Sequence, residues 1–192
     1  MKNSVIALAI FGMASTFANA ATEATSVASW KATATKDSTE QALVVSPLGS
    51  LDFKYAAGLE RFNTIDGKFD ISIVGNEGTA EVPVTGFTLK AKKIQGRLTD
   101  NTGNTVMDVG VQWQGTTVPA DSYVSLIDNK AGVNGGSISA IGQGFKGDAK
   151  AVGDLTFNIT GAQTDGKSVA LSAVPEGVYQ GSVDVEFVAN WS

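Results

Sequence analysis

The 192-residue chain contains no cysteine and no histidine. Without cysteine there is neither a disulfide framework nor a thiolate metal site, so stability has to come from packing and backbone pairing. Without histidine the Ser-His-Asp and Cys-His nucleophile systems, the usual zinc constellations and the commonest general base near neutral pH are all missing. Charge is sparse as well: 17% of the residues are charged, 14 basic against 19 acidic, for a formal net charge of −5. An acidic balance with no basic stripe repels phosphate backbones, so nucleic acid is not an expected partner, and neither is an anionic membrane surface. The apolar run from Val5 to about Met13 is roughly half the ~20 residues that a membrane span needs, and no later stretch is long enough, so no membrane insertion is expected.

That apolar run has a different use. "MKNSVIALAIFGMASTFANA" combines one lysine, the run itself and Ala18-Asn19-Ala20, a small-x-small cleavage pattern. Residues 1–20 therefore read as a signal peptide, and the exported, soluble product begins at Ala21 with a formal charge of −6 once Lys2 is gone. A chain of the remaining length fits one domain and buries roughly 70% of its unfolded surface, enough for a core without staples.

Period-2 alternation dominates that domain. Leu51, Phe53 and Tyr55 alternate, as do Phe69, Ile71 and Ile73, then Val109, Val111 and Trp113, then Leu155, Phe157 and Ile159; each set reads as a half-buried strand. Between them "DGK" (66–68), "GNEGT" (75–79), "DNTGNT" (100–105), "NKAGVNGGS" (129–137) and "TDGKS" (164–168) read as turns, because Gly and Asn tolerate positive φ. The stretch 142–151 reads as a loop with a helical turn. The final strand puts Tyr179, Gly181, Val183, Val185, Phe187, Ala189 and Trp191 on one face. Such a hydrophobic row beside the last residue, where chains usually fray, is expected to be covered by something. The fold class is all-β, a sandwich or barrel.

Chemistry-bearing motifs are few. Asp66, Asp70, Asp100, Asp121, Asp128, Asp154, Asp165 and Asp184 fall in turns or at outward strand phases, which reads as a solvated face rather than a catalytic carboxylate pair. "GQGFKG" (142–147) matches a dinucleotide fingerprint but lacks the flanking strand and helix. "DNTGNT" lacks the twelve-residue calcium spacing and closing glutamate. "NIT" at Asn158 is a formal glycosylation sequon placed mid-strand. Trp30, Trp113 and Trp191 could form a sugar-stacking platform, but all three share a phase with apolar neighbours, which points to packing. No cofactor is indicated.

Two long segments carry a resemblance. "ASWKATATKDST" (28–39) followed by "LVVSPLGSLDFKYAAGLERFN" (43–63), together with the ending "PEGVYQGSVDVEFVANWS" (175–192), resembles the common-pilus (EcpA/MatB-type) major pilins of the alpha-clade chaperone–usher fimbriae. The similarity runs over the mature chain and is densest at residues 28–75 and 175–192. It implies an immunoglobulin-like β-sandwich that lacks its final strand and is completed by an N-terminal donor strand from a neighbouring subunit. On that basis residues 21–34 are a donor extension and 35–192 the pilin domain. The resemblance also implies a non-enzymatic, head-to-tail homopolymer exported through the periplasm to form a surface fimbrium used in adhesion and biofilm formation. Its partners are then other copies of itself, a periplasmic chaperone gripping the C-terminal carboxylate at Ser192, an outer-membrane usher and a tip adhesin.

The alternation within the extension fits. Counting in twos places Thr22, Ala24, Ser26, Ala28 and Trp30 on one face, small side chains ended by one large anchor. The acceptor groove is then expected along Tyr179, Val183, Val185, Phe187, Ala189 and Trp191. A secreted, monomeric carbohydrate-binding β-sandwich is the main rival, for which residues 21–31 are dispensable; an exported carboxylate hydrolase is the second. A buried aromatic removes about 150–250 Å² from water, worth several kcal/mol at roughly 25 cal/mol/Å². Trp30→Ala is therefore expected to lower the denaturant midpoint of fibre dissociation well below that of Ala24→Ser, and equal midpoints would refute the assigned phase.

Overall fold

The computed structural model describes residues 43–81 and 83–192. The signal-peptide and donor-extension assignments, including Thr22, Ala24, Ser26, Ala28 and Trp30, lie outside them. The described residues form β1 (Leu43–Leu48), β2 (Tyr55–Ala56), β3 (Arg61–Phe62), β4 (Ile65–Ile73), β5 (Phe87–Thr99) and β6 (Thr105–Trp113). Beyond these come β7 (Thr116–Thr117), β8 (Val124–Asp128), β9 (Val133–Asn134), β10 (Ala149–Thr164), β11 (Lys167–Val169) and β12 (Gln180–Trp191). All named pairings are antiparallel.

One long strand makes the architecture. β12 runs beside β5 for its whole length, but on its other side β5 pairs with β8 through Thr88–Ala91 and with β6 through Arg97–Thr99. Between those two pairings the β5–β12 ladder skips Ile94, passing from Val185↔Lys93 to Asp184↔Gln95. An extra residue of this kind bends a strand and raises its twist. It also changes which side chains point inward: Phe87, Leu89 and Ala91 are buried before the bulge, Gly96 after it. So β5 passes from one layer to the other, and β8–β5–β12 faces β1–β4–β10–β6 as an all-β sandwich.

The core fills the space between the layers. Phe69, Ile71 and Ile73 of β4, Val109, Val111 and Trp113 of β6, and Leu155, Phe157 and Ile159 of β10 are all buried, on the phases their alternation predicts. A 3-10 segment, Gly136–Gln143, kinked at Ile138, closes one end with Ile138 and Ile141 fully buried, and Asn129 Nδ2 donates to the Gly142 carbonyl at 2.7 Å to hold it there.

Several turn and strand expectations change. "DGK" is not a turn: Asp66, Gly67 and Lys68 lie inside β4, opposite Thr156, Leu155 and Asp154. The glycine there serves close approach, since a Cβ on Gly67 would stand 2.6 Å from Cε2 of Phe157 and 3.0 Å from Cδ2 of Leu51. Conversely, Leu51 and Phe53 alternate like a strand but have no ladder partner, and pairing begins only at Tyr55. The glycine-rich stretch 129–137 is more than a turn, holding β9 and the start of the 3-10 helix, while the expected loop at 142–151 ends early because β10 starts at Ala149.

The bulge leaves a ladder group to satisfy. Where β5 departs from β6, the Val109 carbonyl accepts a hydrogen bond from Lys93 Nζ at 3.0 Å, so a half-buried ammonium stands in for the missing backbone donor. An unpaired buried carbonyl costs about 1–3 kcal/mol. Lys93→Met, which keeps the apolar stem, is expected to lower the unfolding free energy by about that amount in urea denaturation; an unchanged midpoint would show that water replaces the ammonium.

Candidate functional site: a strand-wide apolar groove

Among the described residues the backbone ladder of β1 has one partner, β4, and that of β12 one partner, β5. Their other edges face one another across a cavity of about 550 Å³. One wall is Val45, Pro47 and Leu48 of β1 with Leu51 and Phe53 of the unpaired segment that follows. The floor is Gly67 and Phe69 of β4 with Leu155 and Phe157 of β10, and the far wall is Leu98 of β5 with Gly181, Val183, Val185 and Phe187 of β12.

Burial marks these walls off from the rest of the sandwich. On their inward phase Phe69–Ile73 of β4, Thr105–Trp113 of β6 and Leu155–Ile159 of β10 are buried, whereas Leu43 and Val45 of β1, and Val183, Val185, Phe187, Ala189 and Trp191 of β12, are only half-buried. A fully buried Val, Leu or Phe is worth about 1.5–3 kcal/mol over an exposed one, so completing the burial of Val45, Val183, Val185 and Phe187 offers on the order of 1 kcal/mol each. Two unpaired strand edges above such a row form a template for one more strand.

The groove is not uniform along its length. At the end where Ile73 and Ala149 pair, Trp191 packs edge-on against Phe87 with ring centres 5.4 Å apart, and its Nε1 donates to the Gly144 carbonyl at 3.2 Å. Phe187 meets Phe69 at 5.2 Å. Large rings thus fill that half. At the other end stand Gly67 and Gly181. A Cβ on Gly181 would collide with the Arg97 carbonyl, so glycine is what allows β12 to lie this close to β5 there.

Of the residues expected to form the acceptor groove, Val183, Val185 and Phe187 line the cavity. Ala189 and Trp191 continue the same inward row beyond it, on the ring-filled side. Tyr179 precedes β12; its hydroxyl donates to the Pro175 carbonyl at 2.6 Å, and burial, with the nearby Asp100 carboxylate, pushes its pKa upward. Ser192 is tied to the start of β5: its main-chain oxygen accepts from the N–H groups of Thr85 (3.0 Å) and Gly86 (2.7 Å), while its own N–H donates to the Gly86 carbonyl at 3.0 Å. Trp113 is 5% exposed and offers no face to a sugar. Sequence reading missed the opposite wall and the floor. Pro47 was the available signal, because a proline within a strand marks an edge.

The outward face of the same strands carries a charged cluster. Tyr123 Oη donates to Glu186 Oε2 at 2.6 Å, Lys92 Nζ lies 3.3 Å from the same oxygen, and the ammonium sits 4.5 Å from the centre of the Tyr123 ring. The cluster ties β12 and β5 to the residue preceding β8. Hydrogen bonds from Tyr123 and then Lys92 hold the Glu186 carboxyl below its ordinary value of 4.5, and Glu186 and then Tyr123 raise Lys92 above 10.5.

Two sheet edges without a ladder partner among the described residues, with a row of half-buried apolar side chains between them, leave room for one more strand. A family model described as Fimbrillin MatB matches residues 23–191. The chain is 38% identical over 201 aligned residues to the common pilus major fimbrillin subunit EcpA of Klebsiella pneumoniae (strain 342), with both chains covered completely. It is 38% identical over 174 residues to the protein of the same name from Escherichia coli (strain UTI89 / UPEC), covering 88% of this chain and 82% of that one. Among solved structures, the CooA pilin subunit from enterotoxigenic Escherichia coli superposes with a TM-score of 0.47 at 13% identity, over 76% of this chain and 86% of that one. The chain belongs to the MatB fimbrillin family.

The charged cluster sets a pH window for this face. Glu186, lowered in the folded state, contributes stability that is present above its unfolded value and lost as pH falls through the folded one; Lys92, raised, contributes below 10.5 and loses it as pH rises through its folded value. Between pH 5 and 3 the urea midpoint of the natural chain is expected to fall more steeply than that of Glu186→Gln, and parallel curves would show that the cluster does not contribute.

Proposed function

We propose that this fimbrillin is the major structural subunit of a chaperone–usher surface pilus and polymerises by strand donation, residues 21–34 of one copy filling the groove between β1 and β12 of the next. The observation that carries the reading is the contrast in burial. Phe69–Ile73 of β4, Thr105–Trp113 of β6 and Leu155–Ile159 of β10 are closed from water on their inward phase, while the same phase of the two facing edge strands is half-open over the cavity. A β-strand supplies both things the groove needs, backbone groups for the unpaired edges and alternate side chains for the apolar row.

The free subunit then carries an exposed template for aggregation, which requires a protecting partner before assembly. A periplasmic chaperone that lends a temporary strand to the same groove and holds the end of the chain at Ser192 meets that need, and an outer-membrane usher and a tip adhesin complete the export and the function of the fibre. The relatives named common pilus major fimbrillin subunits support this placement at the cell surface. Adhesion and biofilm formation are properties of the assembled fibre, with the subunit contributing its structure and no catalysis.

Surface-extracted protein on a denaturing gel tests the proposal. Unheated samples of the natural chain are expected to give a ladder of multimers that collapses to one band on heating, and a chain lacking residues 21–31 is expected to give no ladder. A single monomer band in every lane would overturn the reading in favour of the monomeric sugar-binding module.

A further inference from the structure

The groove is asymmetric in size, and so is the segment proposed to fill it. Along β12 the inward row reads Val183, Val185, Phe187, Ala189, Trp191. The first of these borders the wide half of the groove, the cavity that Leu51, Phe53, Leu98 and Leu155 also line and that Ala189 and Trp191 do not reach; Phe187 and Trp191 occupy the other half with rings already packed on Phe69 and Phe87. The face of the extension reads Thr22, Ala24, Ser26, Ala28, Trp30, four small side chains and one large one at a single end. Facing positions pack best when large meets small, and forcing extra volume into a filled site costs about 1–3 kcal/mol.

Only one way of laying one row against the other satisfies that rule. With the extension antiparallel to β12, Trp30 stands opposite Val183, Ala28 opposite Val185, Ser26 opposite Phe187, Ala24 opposite Ala189 and Thr22 opposite Trp191. Reversed, the indole of Trp30 would be pressed into the half occupied by Phe187 and Trp191, and the wide half would receive methyl and hydroxymethyl groups that leave most of it unfilled. The ladder argues the same way. Among the described residues β12 offers an edge of twelve residues without a second ladder partner and β1 only six, one of them Pro47, which has no N–H to give. The stronger antiparallel pairing is gained where the edge is longer.

We propose that the wide half of the groove, bounded by Leu51, Gly67, Leu98, Phe157 and Gly181, is the seat of Trp30 from a second copy of this chain, and that this one side chain fixes the register, with Ala24 beside Ala189. The proposal rests on the strand-donation reading and adds to it the polarity and the residue-by-residue pairing. Because side chains alternate, a slip of one residue would turn Trp30 outward, and a slip of two would move it against Val185 or out past Val183. A single large residue at one end of a row of small ones is thus a register pin.

The absence of cysteine makes the test clean, since any disulfide is an introduced one. Ala24→Cys is combined with Ala189→Cys in one chain, and with Val185→Cys, its neighbour in the reversed polarity, in another. Both chains keep Trp30. Extracted fibres are oxidised, heated in denaturant without reductant and run on a gel. The first pair is expected to turn the heat-labile ladder into a heat-stable one that reductant collapses, and the second pair is expected to stay heat-labile. A heat-stable ladder from the Val185 pair alone would overturn the polarity. Heat-labile ladders from both would overturn the register while leaving strand donation standing. No ladder from the natural chain even without heating would overturn strand donation itself, and this inference with it.

Discussion

Everything in this molecule turns on a backbone requirement: a strand wants a hydrogen-bonded neighbour on each side, and among the described residues the two long strands that border the groove have only one. β1 and β12 are paired on one flank and face each other across the groove on the other, with apolar side chains beneath them that the sandwich leaves half in water. Natural β-proteins blunt such edges with charge, bulges or short strands. On its inward face β12 does none of this. Its charges stand off the inward row: Glu186 is engaged on the outward face with Tyr123 and Lys92, and Asp184, at the rim of the cavity, accepts from Gln95 Nε2 at 2.6 Å. The edge is kept open, and what the outward charges stabilise is the position of the strand.

β5 makes that arrangement possible. A strand that belonged to one layer only would leave β12 flanking a flat sheet. By bulging at Ile94 and trading β8 for β6, β5 carries β12 across the face of the other layer until it lies opposite β1. The cost is a broken β5–β6 ladder, and Lys93 repairs it at the Val109 carbonyl. Groove, bulge and lysine are therefore consequences of one piece of backbone routing.

How far the sequence reveals this depends on whether a feature is local. The inward rows of β4, β6, β10 and β12 are legible because burial on one face writes itself as strict alternation. "DGK" at 66–68 is misleading because a glycine that admits a phenylalanine ring from another strand looks the same as one that makes a turn; only the fold tells Gly67 apart. Leu51 and Phe53 alternate for the opposite reason, since the groove imposes the pattern and no ladder does. Half of the groove was visible as the row of β12. The other half, built from β1, the residues after it and the floor, depends on pairings between positions far apart in the chain, which alternation cannot express.

The half-open row also has a calorimetric meaning. Apolar surface removed from water lowers the heat capacity by roughly 0.45 cal/K/mol per Å², so closing Val45, Val183, Val185 and Phe187 under a guest carries a negative heat-capacity change. The apolar part of the hold weakens on cooling while the backbone ladder along β12 does not share that loss. A fibre built on this groove is gripped by its side chains in warmth and, increasingly, by its main chain in the cold.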